Sequence, residues 1–292
     1  MMIQVILQFL DRKEKQRVNL RVYTLRMKLL VPTDFSPYSD RALELATLIA
    51  KKAGGEITLL NVIYDPRESP VLPATARGSV AEGLERTQKE HLARLKEMAG
   101  KNPLVKKTMV EFGEAHQAIL AQEASCDMMI MGTKGIHGLS GALVGSVAMR
   151  VLRKARVPVI TVREKVPKDI KKIVAATDTS EASGKALNAA LALAKAIGAE
   201  MIPVYVDTLA QHVRDGSVYW QRVVDRVAAI SSCPSCVVYP SESPSRGIME
   251  FSKKEGADLV AIGTMGLSGL RDIIGSTAVS VVSASPVPVM VV

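Results

Sequence analysis

The sequence predicts an α/β protein of two tandem domains, each a doubly wound five-stranded parallel sheet covered by helices on both faces. Three observations predict it. Short apolar runs alternate with helical patterns, those runs are continuous rather than alternating, and the two halves repeat each other's motifs. A strand that reads apolar at consecutive positions is buried on both faces, and intervening helices supply the cover of a parallel sheet. At roughly 100–200 residues per domain, a chain of 292 residues accommodates two such units.

The elements of the first half follow in order. Leu29–Val31 is an apolar run ending in Thr33-Asp34, after which Ser36 caps a helix with Pro37 at its first position. That helix runs to Ala53, and Ile57–Ile63 is the second strand. A long helical pattern around Gly83–Ala99 precedes the strand Met109–Phe112. A helix at Glu114–Glu123, a strand at Met128–Met131, a helix at Ser146–Lys154 and a last strand at Val159–Val162 complete the unit.

The second half repeats this plan, and such self-similarity marks duplicated units. Lys28–Asp40 reads KLLVPTDFSPYSD and Lys172–Gly184 reads KIVAATDTSEASG. Cys126–Gly135 reads CDMMIMGTKG against ADLVAIGTMG at Ala257–Gly266, and both halves close on VPV, at Val157–Val159 and Val287–Val289. Asp34 and Asp178 lie 144 positions apart but Gly132 and Gly263 only 131, so the second half is about 13 residues shorter between them. The domains are set at 28–163 and 171–292, joined by the charged, Pro-containing linker 164–170. Residues 1–27 form an N-terminal extension that reads either as an added strand or helix or as the product of an over-extended reading frame.

Composition narrows the function. Hydrophobic residues make up 48% and charged residues 23%, the balance of a globular protein. Aromatics are only 4%, too few for the stacking platforms of single-stranded nucleic-acid binders. The net charge of +9 suggests a nucleic-acid partner at first sight, but +4 of it sits in residues 1–27. No nucleic-acid partner is expected. Three cysteines make no disulfide framework, and no stretch reaches the roughly 20 apolar residues that span a bilayer. The expectation is a cytoplasmic protein with no membrane partner.

In a doubly wound sheet, ligands bind outside the carboxyl ends of the strands at the switch point. Thr33 and Asp34 end the first strand, and Gly132-Thr133-Lys134-Gly135 ends the fourth. Taken alone, Asp34 also reads as an ordinary turn residue ahead of a capped helix. Gly132, Gly135, Gly138 and Gly141 then fall within ten residues, before Gly145-Ser146 opens a helix. Closely spaced glycines admit backbone close to a ligand, and a helix N-terminus offers unpaired N–H donors suited to phosphate. Ser146 reads equally as a phosphate donor or a plain N-cap, and Lys134 as a phosphate contact or an exposed loop cation. Neither G-x-x-x-x-G-K-[ST] nor G-x-G-x-x-G after the first strand is present, which disfavours Walker-type NTPases and typical dinucleotide dehydrogenases.

Gly132, two residues, Gly135, nine residues and Gly145-Ser146, together with VPTDFS and VPVITV, resemble the ATP-binding branch of the universal stress protein family. The resemblance covers Lys28 to Val292 as two such domains in tandem. It implies the adenine-nucleotide alpha-hydrolase-like fold and ATP or a related adenine nucleotide as cofactor, with any Mg²⁺ carried mainly on the phosphates. Carried over by residue, it implies that Thr33 and Asp34 contact the ribose or adenine side and that Val62 lines the base pocket. Gly132, Thr133 and Gly135 would cradle sugar and phosphates, and Gly145, Ser146, Val147 and Ala148 would supply phosphate donors. In the second half the matching places are Thr177, Asp178, Val204, Gly263, Gly266, Gly275, Ser276 and Thr277. There only eight residues separate Gly266 from Gly275, a departure that puts nucleotide binding by that half in doubt. The family also implies pairing through the last strands, here within one chain, with further association into a homodimer as an extension of the same habit.

Other residues carry less. Cys233-Pro234-Ser235-Cys236 supplies two thiols where a structural zinc needs four ligands, and reads as incidental, metal-binding or redox. Cys126 reads as core. His137 has no evident carboxylate partner, His91 and His116 fall in helical stretches, and His212 offers no ligand spacing near the cysteine pair. No general base for water attack emerges. The function expected is a nucleotide-binding stress-response or regulatory module rather than an efficient enzyme. The alternatives are a slow ATP hydrolase or phosphotransferase, and a ligand-free dimerisation scaffold.

Overall fold

The computed structural model describes residues 26–68, 73, 77–135, 144–208, 217–233, 235–264 and 274–292. Residues 1–25 of the extension, the loop glycines Gly138, Gly141 and Gly266, and His137, His212 and Met265 lie outside the described residues.

The first repeat contributes β1 (Lys28–Pro32), α1 (Pro37–Ala53), β2 (Glu56–Ile63), α2 (Arg77–Lys101), β3 (Val105–Phe112), α3 (Ala115–Leu120), β4 (Met128–Gly132), α4 (Ser146–Lys154) and β5 (Val159–Val162). The second contributes β6 (Lys172–Thr177), α5 (Glu181–Ile197), β7 (Glu200–Asp207), α6 (Ser217–Ile230), β8 (Val237–Pro240), α7 (Pro244–Glu255), β9 (Leu259–Ile262), α8 (Ser276–Ala284) and β10 (Val289–Val291). Helix α1 shows why these segments fold locally as they do. Ala42, Leu45, Ala46, Ile49 and Ala50 make one buried stripe at helical spacing. The Ser36 hydroxyl accepts from the Ser39 amide, Pro37 opens the first turn, and Gly54 closes the helix in the left-handed conformation.

All ten strands join one sheet in the order β3-β2-β1-β4-β5-β10-β9-β6-β7-β8. The two halves therefore do not form separate sheets. Within each half every pairing is parallel, while β5 and β10 pair antiparallel, with Thr161 opposite Val289, Ile160 opposite Met290 and Val159 opposite Val291. Thr161 adds a side-chain hydrogen bond to the carbonyl of Val289. Equivalent strands paired antiparallel relate the repeats by a pseudo-twofold axis through the sheet. One face then carries a single core fed by both halves, with Leu45, Ile49 and Leu95 in the same cluster as Leu187, Leu193 and Val227. The other face buries Val151 and Leu152 of α4 together with Phe251 of α7 and Val281 of α8.

Strand β3 begins four residues before the predicted Met109. Lys106 and Lys107 break the apolar pattern because β3 is an edge strand, where exposed lysines deter pairing with other chains. In each half the order reverses beside the first strand, between β1 and β4 and between β6 and β9. Antiparallel joining points these two switch points toward opposite ends of the sheet.

Candidate functional site

At the carboxyl ends of β1, β2 and β4 lies a cavity of about 530 Å³, within the range typical of small-molecule sites. It is lined by all ten first-half candidates: Thr33, Asp34, Val62, Gly132, Thr133, Gly135, Gly145, Ser146, Val147 and Ala148. Lys134 also lines it, as do Leu60 and Tyr64 of the β2 end and Ala115 and Ile119 of α3. Sequence reasoning missed those last four. Leu60 and Tyr64 could have been found by strand alternation around Val62, whereas nothing local places α3 over the cavity.

The β1 end is held by a tight local network. The Ser36 amide donates to Asp34 Oδ1 at 3.1 Å, and the Phe35 amide donates to Thr33 Oγ1 at 3.0 Å. Phe35 adopts φ +62°, rare for a side-chain-bearing residue, and such conformations persist only where the surroundings impose them. Asp34 thus fulfils the turn reading and lines the cavity as well.

Beside it, the glycines leave no room for a side chain without a shift of their neighbours. A Cβ on Gly132 would fall 2.8 Å from Tyr38 Cβ, and one on Gly135 would fall 2.6 Å from Asp34 Oδ2. The Gly145 amide donates to the Thr133 carbonyl at 2.6 Å, which fastens the far end of the loop to the end of β4. This corrects one expectation: the Gly145 N–H is committed to the loop and is not a phosphate donor. The first intrahelical bond of α4 runs from Met149 to the Gly145 carbonyl. The N–H groups of Ser146, Val147 and Ala148 therefore have no partner inside the helix and concentrate its positive dipole end at the cavity.

The donor set suits a nucleotide. Leu60, Val62 and Ile119 supply apolar walls for a base, and Asp34 a carboxylate acceptor for hydroxyls. Lys134 and the α4 N-terminus supply positive potential for phosphates. The hydroxyl of Thr133, in a residue only 2% exposed, has no hydrogen-bond partner. A buried polar atom left so is costly and calls for a ligand or water to complete it. Asp34 is the one carboxylate among the described lining residues, and no described cluster of three or more His, Cys, Asp or Glu could hold a metal.

The second repeat builds the same arrangement around a cavity of about 400 Å³ lined by Thr177, Asp178, Gly263, Gly275, Ser276 and Thr277 among others. Its Asp178 Oδ1 accepts from the Ser180 amide and hydroxyl, Thr179 repeats the positive φ at +65°, and the Gly275 amide donates to the Thr264 carbonyl at 2.8 Å. Val204 is a correction. It pairs with Ala176 as Leu60 pairs with Pro32, and it is fully buried in the core. The partner of Val62 is Val206, which lines the cavity together with Tyr205. The apolar run of β7 offered no mark of register, so the assignment slipped by two residues, which preserves the face and is invisible to alternation.

The cysteines are all free thiols. Burial pushes the Cys126 thiol up to about 11 and that of Cys236 up to about 12, and Cys233 is buried in the shared core. The raised Cys126 and Cys236 thiols are thereby poor nucleophiles and poor metal ligands.

Fold and cavities define a class: a tandem, doubly wound α/β protein with a cavity at the switch point of each repeat. The chain belongs to the universal stress protein family, whose model matches residues 26–163, 169–212 and 235–292. A universal stress protein of Methanocaldococcus jannaschii is 34% identical over 145 residues, which are 48% of this chain and 84% of that protein. The universal stress protein YxiE of Bacillus subtilis is 32% identical over 148 residues, 47% of this chain and 98% of its own. Each such relative thus matches about half of this chain. The crystal structure of a universal stress protein from Archaeoglobus fulgidus superposes over 90% of this chain and 97% of its own with a TM-score of 0.70. At 24% identity that likeness shows the fold alone. Among the described residues no helix is long and apolar enough to cross a membrane.

Proposed function

We propose that this protein binds ATP or a related adenine nucleotide in the cavity of the first repeat, as a stress-response or regulatory module built from the domains 28–163 and 171–292. The observation that carries the reading is the close approach of Asp34 and Gly135 in the cavity lining, beside the open N-terminus of α4 and the unpartnered Thr133 hydroxyl. A carboxylate and amide donors in the same lining match the hydroxyls and phosphates of a nucleotide. The base would lie against Leu60, Val62 and Ile119, and the phosphates against Gly135, Ser146, Val147 and Ala148. Any Mg²⁺ would arrive on the phosphates. Binding is favoured over turnover because Asp34 is the sole described carboxylate of the lining and already accepts from the Ser36 amide.

The test is mass spectrometry of the small molecules retained by the purified chain, followed by calorimetric titration with ATP, ADP, AMP and GTP. Saturable binding of an adenine nucleotide, lost in Asp34→Ala, is the expected result. Absence of binding by a folded wild-type chain overturns the reading and leaves the dimerisation scaffold.

A further inference from the structure

We propose that His91 is a positioning residue of the first cavity, acting through Asn61 on the Thr33–Asp34–Phe35 turn; this rests on the nucleotide reading of that cavity. Neither His91 nor Asn61 lines the cavity, so both act from behind it. Asn61, only 3% exposed, donates from Nδ2 to the Thr33 carbonyl at 2.8 Å. Its Oδ1 lies 2.8 Å from His91 Nδ1. A carbonyl only accepts, so the amide nitrogen must face Thr33 and the amide oxygen must face His91. The imidazole therefore carries its hydrogen on Nδ1 and donates it to Asn61. The order of the relay, from α2 through β2 to the end of β1, is fixed by chemistry.

The same imidazole meets the turn a second way. The Phe35 ring packs edge-on against His91 with centroids 5.1 Å apart, and the Arg94 guanidinium lies over the Phe35 ring at 4.2 Å. Phe35 is the residue held at φ +62°, directly after Asp34. His91 thus grips the strained turn by its side chain and, through Asn61, by the backbone carbonyl ahead of it.

The second repeat lacks this device. Tyr205 takes the place of Asn61 in register, opposite Thr177, and its phenol pairs with Tyr219 of α6 at 2.9 Å. Thr179 occupies the position of Phe35 and offers no ring to clamp. The amide–imidazole relay is therefore a property of the first cavity alone, and it separates two sites whose linings otherwise correspond.

The experiment titrates ATP into the full chain carrying Asp178→Ala, which reads the first cavity by itself. His91→Ala is expected to weaken binding about tenfold, the loss of roughly one well-placed hydrogen bond. His91→Gln, whose amide can still donate to Asn61, is expected to recover affinity to within about twofold. Asn61→Ala should match His91→Ala, and the double variant should be no worse than either single one, because both break one relay. Tyr219→Phe should leave the first cavity unchanged. Wild-type affinity in His91→Ala, no recovery in His91→Gln, or additive losses in the double variant would each overturn the assignment. Should the chain with native His91 and Asn61 bind no ATP at all, the nucleotide reading falls and this inference with it. If His91→Ala proves unfolded, the comparison of His91→Gln with Asn61→Ala decides in its place.

Discussion

A Cβ placed on Gly135 would stand 2.6 Å from Oδ2 of Asp34, so the start of the glycine loop and the end of β1 meet closely in the lining of the first cavity. Only hydrogen at that position lets the carboxylate keep its place. Gly135→Ala is expected to displace Asp34 and to weaken ATP binding about tenfold, approaching the effect of Asp34→Ala, with an unchanged far-ultraviolet spectrum. Isothermal titration on both variants checks this, and wild-type affinity in Gly135→Ala would sink it.

The two cavities should bind unequally. Lys134 lines the first, while the sequence places Met265 at the corresponding point of the second repeat. A charge-assisted phosphate contact contributes on the order of 1.5–3 kcal/mol, about tenfold to a hundredfold in affinity. Asp34→Ala should therefore abolish the tighter binding event and Asp178→Ala spare it. Titration of each variant decides, and loss of tight binding in Asp178→Ala alone would reverse the order.

Glycines at matching places should also differ in stability. A Cβ on Gly132 would lie 2.9 Å from the Tyr38 carbonyl carbon, whereas one on Gly263 would meet nothing nearer than 3.4 Å. Backbone cannot swing aside as a flexible side chain does. Gly132→Ala is expected to cost about 1–3 kcal/mol, and Gly263→Ala to stay within about 0.5 kcal/mol of wild type. Urea denaturation compares them.

Across the joint between the halves, Ile160 faces Met290 and both are fully buried. Truncating either to Ala should cost about 2–5 kcal/mol. Because one core spans both repeats, the loss should appear in the unfolding of both halves rather than of one. Hydrogen exchange of β1 and β6 amides would reveal a contrary result as protection lost in one repeat only.

His91 makes stability depend on pH. Burial, and then the nearby Arg94, hold its imidazole below the ordinary value of 6.5, against an opposing pull from Glu90. The turn residues packed on it, Asn61 and Phe35, carry no charge. The unfolded chain takes up this proton at higher pH than the folded one, so the contribution is fully present above pH 6.5 and is lost as pH falls from there toward the lowered folded value. Melting temperature should fall with acidification in that window more steeply for wild type than for His91→Gln. Parallel curves would refute it.

Much of this was legible locally. The helix bounds Pro37–Ala53 and Ser146–Lys154 coincide with those in the structure, because a hydroxyl cap with proline and a glycine opening are short-range signals. All ten first-repeat candidates converge on one cavity, because strand ends and glycine loops announce themselves by residue type. The start of strand β3 is not legible in the sequence because an edge strand need not be apolar, and Val204 and Val206 are indistinguishable there because a two-residue slip keeps the same face.

The sequence by itself determined the duplication, the parallel α/β class and the loop chemistry, since each rests on residue type and spacing along the chain. Tertiary structure alone decided three things: the antiparallel register in which the paired last strands, β5 and β10, join ten strands into one sheet, that the Gly145 amide is committed to Thr133, and that His91 reaches the Thr33 turn through Asn61. These are hydrogen bonds and packing contacts between residues distant in sequence or across a loop. Their partners are chosen by where the folded backbone brings donors and acceptors within about 3 Å, a matter of geometry that no local pattern encodes.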